Sequence, residues 1–323
     1  QVMLAADRVL DIGPGPGEHG GRLVFHGSPA ELIAATGSLT GDYLAGRRRV
    51  GGDPDATRPA AAPEVLRVRG AAAHNLKDID VEIPLRRLVV VTGVSGSGKS
   101  TLVQDVLFNA LAKIKGRPEQ PPGEHAGIDG ADCVADVVLL DQSSIGRTSR
   151  SNPASYVGAL DPIRRLFAAE PLARERGYTA GTFSFNSGNG RCPTCGGSGF
   201  EHVEMQFLSD VYLRCPDCDG RRYRNPVLEV RITPAGSDRG RSIADVLDLT
   251  VTEAVAFFSA HPEVKRSLEP LQAVGLGYLR LGQPVPTLSG GEAQRLKLAG
   301  HLAKSTARRG AKGGLLFLLD EPT

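Results

Sequence analysis

Two stretches of the sequence carry residue types whose spacing implies chemistry. The first, Gly93-Val-Ser95-Gly96-Ser-Gly98-Lys99-Ser100-Thr101, has the G-x-x-x-x-G-K-S pattern of a phosphate-binding P-loop. Glycine lets the chain wrap a phosphate and aim successive N–H groups at it. In such a loop Lys99 reaches the β- and γ-phosphates and the Ser100 hydroxyl ligates Mg²⁺. The second stretch sets Cys192-x-x-Cys195 against Cys215-x-x-Cys218 with 19 residues between the pairs, a spacing used by structural zinc sites. Zn²⁺ takes four thiolates in a tetrahedron at about 2.3 Å, and each C-x-x-C turn presents two. Two disulfides, or four unrelated thiols, are the alternatives; nothing in the sequence is secretory, which argues against disulfides. A closed shell of four cysteines makes the metal structural and not catalytic. Cys133 is left unassigned.

Two further pieces complement the loop. Residues 315–319, LLFLL, read as a buried strand ending in Asp320-Glu321. An acid at that position holds Mg²⁺ in P-loop proteins, and Glu321 beside it would orient or deprotonate water. The octamer Leu288-Ser289-Gly290-Gly291-Glu292-Ala293-Gln294-Arg295 contains an S-x-x-E capping box at a helix start. Ala293, Leu296, Ala299 and Leu302 then mark one face of that helix. Gly290 and Gly291 leave its N-terminus bare, so a phosphate from another molecule can approach closely. Around the second cysteine pair stand Arg214, Arg221, Arg222 and Arg224. They suit nucleic-acid phosphates, or equally a solvated surface.

The elements that must position these residues can be read in outline. Residues 88–92, LVVVT, form a short apolar run of the buried-strand type leading into the loop. Leu102, Val103, Val106, Leu107, Ala110 and Leu111 recur at helical spacing after it. Upstream, Arg8–Ile12 and Arg22–His26 read as strands around a glycine-rich turn. Ser28-Pro29-x-Glu31 opens a helix with Pro at its first position. Residues 46–63 form a linker of Gly, Pro, Ala and charge without period. Strands are expected within 65–70 and 78–85. Between the cysteine pairs Val203, Met205 and Phe207 alternate with polar residues, and after them Leu228, Val230 and Ile232 do the same; both patterns predict strands. Thr252–Phe258, capped by Thr250 or Thr252, and Val264–Val274 read as helices. The expected fold class is α/β: a P-loop nucleotide domain with a large helical insertion, about 150–285, carrying the four-cysteine module at about 190–225.

Composition narrows the class. The chain has 323 residues, 38 Lys+Arg and 36 Asp+Glu, for a net charge of +2. That balance excludes a histone-like polycation but leaves room for a local basic patch. The 40 glycines and 22 prolines, about a fifth of the chain, make it loop-rich without reaching low-complexity levels. Its apolar runs stop at four or five residues, far from the roughly 20 a membrane span needs, and no signal peptide is visible. A cytoplasmic location is expected. The sequence opens on Gln1 and stops at Thr323 directly after a strand pattern, so a fragment of something longer is expected.

The motifs together resemble a known family. LSGGEAQR resembles the signature of ABC ATPases, and GVSGSGKST and LLFLLDEPT resemble their Walker A and Walker B motifs. The strings GRTSRSNPASYVGALDPIRRLFA, FSFNSGNGRCPTCGGSG, DVYLRCPDCDGRRY and VGLGYLRLGQPVPTLSGGEAQR resemble one subfamily, the UvrA excinuclease family with its paralogues. The resemblance runs over nearly all of 64–323, and ADRVLDIGPGPGEHGG is similar to the tail of that family's first ATPase half. It implies that residues 1–45 end a first half, 46–63 link, and 64–323 form a second half cut after Walker B. It implies that Gly93, Ser95, Gly96, Gly98, Lys99, Ser100, Thr101, Gln142, Asp320 and Glu321 hold one ATP with its Mg²⁺, Gln142 touching the metal and the attacking water. It implies that Ser289 and Gly291 complete a different ATP site in trans. By the same resemblance the protein would be an ATP-hydrolysing DNA-damage recognition subunit, binding damaged double-stranded DNA. A UvrB-like partner would dock through the absent first half, and the full-length protein would be a homodimer. Arg221, Arg222 and Arg224, with Arg147 and Arg150 as weaker candidates, would meet the DNA. A paralogue serving drug resistance or self-protection, a zinc-stapled DNA-binding module without turnover, and a transporter motor are the competing readings; the four-cysteine insertion argues against the last.

Overall fold

The computed structural model describes residues 2–49, 64–143, 145, 150–203, 211–234, 239–305 and 313–321. The chain divides into two compact units, Gln1–Ala61 and Ala62–Thr323. The first is built on an antiparallel hairpin of β1 (Val9–Gly13) and β2 (Arg22–Gly27). Ser28 then starts the helix Pro29–Ala34 with a full capping box: Glu31 accepts from the Ser28 amide at 2.7 Å while its own amide reaches the Ser28 hydroxyl. A second short helix, Leu39–Leu44, is capped by Ser38. The Ser38 and Thr40 hydroxyls both donate to the carboxylate of Asp11, at 2.6 and 2.9 Å, which ties this helix to β1.

The second unit opens with an antiparallel sheet in the order β4 (Ile79–Pro84), β3 (Val65–Ala71), β5 (Gly127–Asp129). After the P-loop the chain runs as a π-helical stretch, Thr101–Phe108, straight into the α-helix Asn109–Ile114. The helical spacing read from the sequence puts Leu102, Val106, Leu107, Ala110 and Leu111 on the buried side. Leu102, Val106, Leu107 and Leu111 share a core with Leu66 and Val68 of β3 and with Val137, Leu316 and Leu318. The last three come from a parallel pair, β6 (Val134–Leu140) and β9 (Gly314–Leu319), in register from Asp136↔Leu315 to Leu140↔Leu319 after an irregularity that follows Val134↔Gly314. Parallel pairing brings both strands to the same end, so Asp141-Gln142 and Asp320-Glu321 emerge side by side.

A second and larger core is helical. Ile163 and Phe167 of Leu160–Ala169, Val246 of Ile243–Asp248, Val251 of Val251–Phe257, Leu268 and Leu271 of Pro262–Ala273, and Leu296 and Ala299 of Gly290–Ser305 meet in it. Thr250 caps Val251–Phe257 through a capping box with Glu253. Between the cysteine pairs lies a hairpin of β7 (Phe200–Val203) and β8 (Val211–Arg214). Met205 and Phe207 lie outside the described residues.

Three expectations need correction. Residues 88–92 form no strand among the described residues, and Leu88, at 88 % exposure, and Val90, at 71 %, face outward. A strand needs a ladder partner on at least one edge, and no described strand lies beside this run. β9 is a strand as expected but not a fully buried one, since Leu315 and Leu319 are exposed. Leu228, Val230 and Ile232 are buried and alternate with exposed Glu229 and Arg231, yet the segment is no strand. Pro226 sets a helical turn over Asn225–Leu228, and only Ile232 makes a bridge, to Arg241. The alternation records a chain laid along a core, not a ladder.

Candidate functional site

The P-loop is drawn around its own lysine. Gly93, Gly96 and Gly98 have φ of 156°, 77° and 96°, values that side chains rarely tolerate. A Cβ at Gly98 would fall 2.9 Å from Asn75 Oδ1 and Leu76 Cδ2. Asn75 also braces the loop by donating from Nδ2 to the Gly96 carbonyl at 2.9 Å. The Lys99 ammonium donates to the carbonyls of Gly93 and Val94, at 2.9 and 2.8 Å. Ser100 is exposed just beyond it and Thr101 half-buried. The chemistry fits a polyphosphate: an ammonium that donates to loop carbonyls can exchange them for anionic oxygens, which accept more strongly.

The second cluster forms where β6 and β9 end. The Gln142 side-chain amide donates to the backbone carbonyl of Glu321 at 2.8 Å. Glu321 is exposed and sits at φ 43°, in the left-handed region, while Asp320 is half-buried before it. The N-terminal turn of the helix Gly290–Ser305 closes over the same place: a Cβ at Gly290 would lie 2.9 Å from Gln142 Oε1. Ser289 and Glu292 form the reciprocal cap read from the sequence, with the Ser289 amide donating to Glu292 at 2.8 Å. Burial works against the Glu292 charge, but the Tyr278 hydroxyl donating at 2.6 Å and the Ser289 donors outweigh it and hold the carboxyl below its ordinary range. Ser289 is exposed and Gly291 half-buried at this helix end. Further along, Gln294 donates from Nε2 to the carbonyls of Leu140 and Asp320, at 2.7 and 2.8 Å. Lys297 pairs with Asp141 and donates to Ser143 Oγ at 2.9 Å. Burial raises the Asp141 carboxyl, and the Lys297 and Ser143 donors more than reverse that and lower it.

The sequence assigns no contact to Gln294, although it lies within LSGGEAQR, and does not single out Lys297 or Asn75. Their partners stand 154 and 26, 156, and 21 residues away, separations at which no local pattern gives a signal.

The four cysteines converge. Their sulfurs all lie within 4.8 Å of one another, with Cys192–Cys215 at 3.9 Å and Cys195–Cys218 at 3.7 Å. None is in a disulfide. A tetrahedron with metal–sulfur bonds of about 2.3 Å has edges of about 3.8 Å, so the donor set and its spacing suit one metal ion. Gly196, Gly197 and Gly199 all have positive φ, and a Cβ at Gly197 would overlap the Phe185 carbonyl at 2.0 Å. Burial opposes ionisation of Cys195, but the Gly199 amide, 3.3 Å from its sulfur, and that of Gly197 overcome it and bring the thiol to about 7.

The arginines separate. Arg221 and Arg224 are exposed beside the cysteine turns. Arg222 is not on that surface: it is 6 % exposed, lies over the Phe185 ring at 5.0 Å and donates to the Gly282 carbonyl at 3.1 Å. Its backbone is in the left-handed region, at φ 70°, and burial lowers the guanidinium's pKa. It joins the cysteine module to the helical core and cannot meet a phosphate from there. Arg150 donates to the Gly196 carbonyl at 3.2 Å; Arg147 lies outside the described residues. No described helix is long and apolar enough to cross a membrane.

No family model matches the chain. It is 51 % identical over all 323 residues to UvrABC system protein A of Methanothermobacter thermautotrophicus, of which it covers 32 %. It is 50 % identical over 323 residues to UvrABC system protein A of Thermus thermophilus, covering 33 % of that chain. The solved structure of UvrA2 from Deinococcus radiodurans matches over the whole of this chain and 37 % of its own, with a TM-score of 0.84 and 46 % identity. The chain thus spans about a third of the length of the curated relatives it matches. Identity at half of all positions, a matching fold and a four-cysteine cluster inserted between phosphate loop and LSGGEAQR lead to one conclusion: the chain belongs to the UvrA family.

Proposed function

We propose that this chain is one ATP-binding and hydrolysing half of a DNA-damage recognition subunit of nucleotide excision repair. The observation that carries the reading is the junction at the ends of β6 and β9. There Gln142, Asp320 and Glu321 are gathered by hydrogen bonds beneath the glycine pair of LSGGEAQR. In this reading the loop amides and Lys99 bind the nucleotide's phosphates, with Gly93, Ser95, Gly96, Gly98 and Thr101 shaping the cradle. Ser100 and Asp320 hold its Mg²⁺. Glu321 takes the proton of the attacking water and Gln142 orients that water. Bound ATP supplies the phosphoanhydride whose cleavage drives the cycle. Ser289 and Gly291, at the exposed helix N-terminus, receive the γ-phosphate of a partner half. Affinity of both faces for one triphosphate makes the closed pair a population that nucleotide selects.

The cysteine cluster holds Zn²⁺ as a structural clamp in this reading. Arg221 and Arg224 contribute to a damaged double-stranded DNA surface, read by shape and deformability. Docking of a UvrB-like protein and dimerisation belong to the full-length molecule. Identity of 49–51 % over nearly the whole chain to proteins named UvrABC system protein A supports the repair role.

The test is Glu321→Gln in the full-length protein. It should keep Mg-ATP binding by calorimetry and lose steady-state hydrolysis by about 100-fold or more, as expected for removal of a general base. Unchanged hydrolysis overturns the role given to Glu321, and no magnesium-dependent nucleotide uptake by the wild type overturns the reading.

A further inference from the structure

The peptide that carries Glu321 is pinned from two sides. Its preceding carbonyl, that of Asp320, accepts from Gln294 Nε2 at 2.8 Å, and its own carbonyl accepts from Gln142 at 2.8 Å. The Asp320 amide completes the frame by donating to the Leu140 carbonyl at 3.1 Å, and the same carbonyl accepts from Gln294 at 2.7 Å. One side-chain amide of Gln294 thus bridges the last carbonyl of β6 and the first carbonyl beyond β9. Glu321 meanwhile holds φ 43°, a conformation that a side chain with a Cβ keeps only when its surroundings over-determine it.

Gln294 is 3 % exposed. Water cannot take over its two donations if the amide is removed, so the carbonyls would be left to find new partners by moving. The residue stands one turn into the helix Gly290–Ser305, whose first turn carries Gly290 and Gly291 directly after Ser289. Lys297, one turn further, grips Asp141 next to Gln142. The helix therefore touches both strand ends through side chains, on the residues flanking Gln142 and Glu321.

We infer that Gln294 is a positioning residue for Glu321, fixing the backbone of the general base from the helix that presents the glycine pair to the opposite site. This rests on the ATPase reading above. Through this bridge a shift of the helix when its N-terminus engages a partner's nucleotide is passed to the acid of its own half. The role of Gln294 is separate from phosphate binding: its amide is spent on backbone carbonyls at the strand ends, away from the P-loop and the exposed helix end.

The test uses the full-length protein with Gln294→Met, which keeps the volume and removes both donors, beside Gln294→His, which keeps an N–H, and Glu321→Gln. Gln294→Met should lower kcat for ATP by about 10-fold or more while the Kd for Mg-ATP stays within about 2-fold and the melting transition remains cooperative. Gln294→His should recover part of the loss, which mere packing would not produce. If Gln294→Met fails to fold, Gln294→Glu carries the same test, since it retains the shape and turns the donor into an acceptor. A kcat within about 2-fold of wild type, or kcat and Kd impaired in parallel, overturns the inference. Should Glu321→Gln abolish hydrolysis while Gln294→Met does not, only the positioning role falls; should Glu321→Gln leave hydrolysis intact, the role given to Glu321 falls and takes the premise of this inference with it, while a wild type without magnesium-dependent nucleotide uptake overturns the ATPase reading.

Discussion

Gln142 and Glu321 are 179 residues apart in sequence, yet the side-chain amide of the first donates to the backbone carbonyl of the second at 2.8 Å. Parallel pairing of β6 with β9 makes this possible, because the two strands release their next residues at the same edge. Gln142→Ala removes the hydrogen bond at an exposed position. Stability should change by less than about 0.5 kcal/mol, while hydrolysis by the full-length protein falls about 10- to 100-fold as the acid loses its alignment. Denaturant melts and steady-state turnover measured on the same sample separate the two effects. Equal losses in both would point to a structural role alone.

Metal content checks the cysteine cluster. Wild-type protein should release about one zinc per chain to a chromogenic chelator after mercurial treatment, and Cys215→Ser, which alters a fully buried ligand, should release almost none. Metal-free wild type would leave the cluster as four packed thiols.

Arg221 and Arg224 face solvent and Arg222 does not. Replacing Arg221 and Arg224 together with Ala should reduce the slope of log affinity for DNA against log salt by about 2, or about 0.9 for each phosphate no longer neutralised. Arg222→Met should leave that slope alone and instead destabilise the fold, because it abandons the Gly282 carbonyl and the Phe185 ring. A reduced slope for Arg222→Met alone would show that this side chain turns outward when DNA binds.

Acid should loosen the Lys297 clamp. The Asp141 carboxyl is lowered in the folded chain from an ordinary 3.8. A group depressed by folding adds stability above its unfolded value, and that stability disappears as the pH falls through the folded one. The contribution is therefore complete above about pH 5, starts to fall as the pH nears the unfolded 3.8, and is lost as the pH drops further through the lower folded value. Urea midpoints of wild type and Lys297→Met should differ at about pH 7 and approach each other as the pH is lowered. A gap that stays constant across this range would assign the effect to packing of the lysine stem.

The local chemistry was legible in the sequence and the long-range fastening was not. The P-loop, the Ser289–Glu292 cap, the Ser28–Glu31 box and the C-x-x-C turns depend on residues within a few positions of one another, so their spacing carries them. Apolar periodicity also located the buried faces, as Leu296 and Ala299 illustrate. It failed where burial and pairing part company: Leu88–Val91 is apolar enough for a central strand but lies unpaired among the described residues, and Val230 is buried without a ladder. Arg222 shows the same limit for charge. Three arginines within four positions look alike as letters, yet Arg222 is buried while Arg221 and Arg224 are exposed.

The resting posture of Lys99 sets a threshold for what the loop will admit. Its ammonium is already satisfied by two peptide oxygens of the loop, so an incoming molecule must outcompete neutral carbonyls before the lysine lets go. Adenosine has nothing to offer in that exchange, whereas a chain of ionised phosphates does. Selection for charge thus precedes any recognition of the base, and hydrogen exchange at Gly96 and Gly98 should slow with ATP and stay unchanged with adenosine.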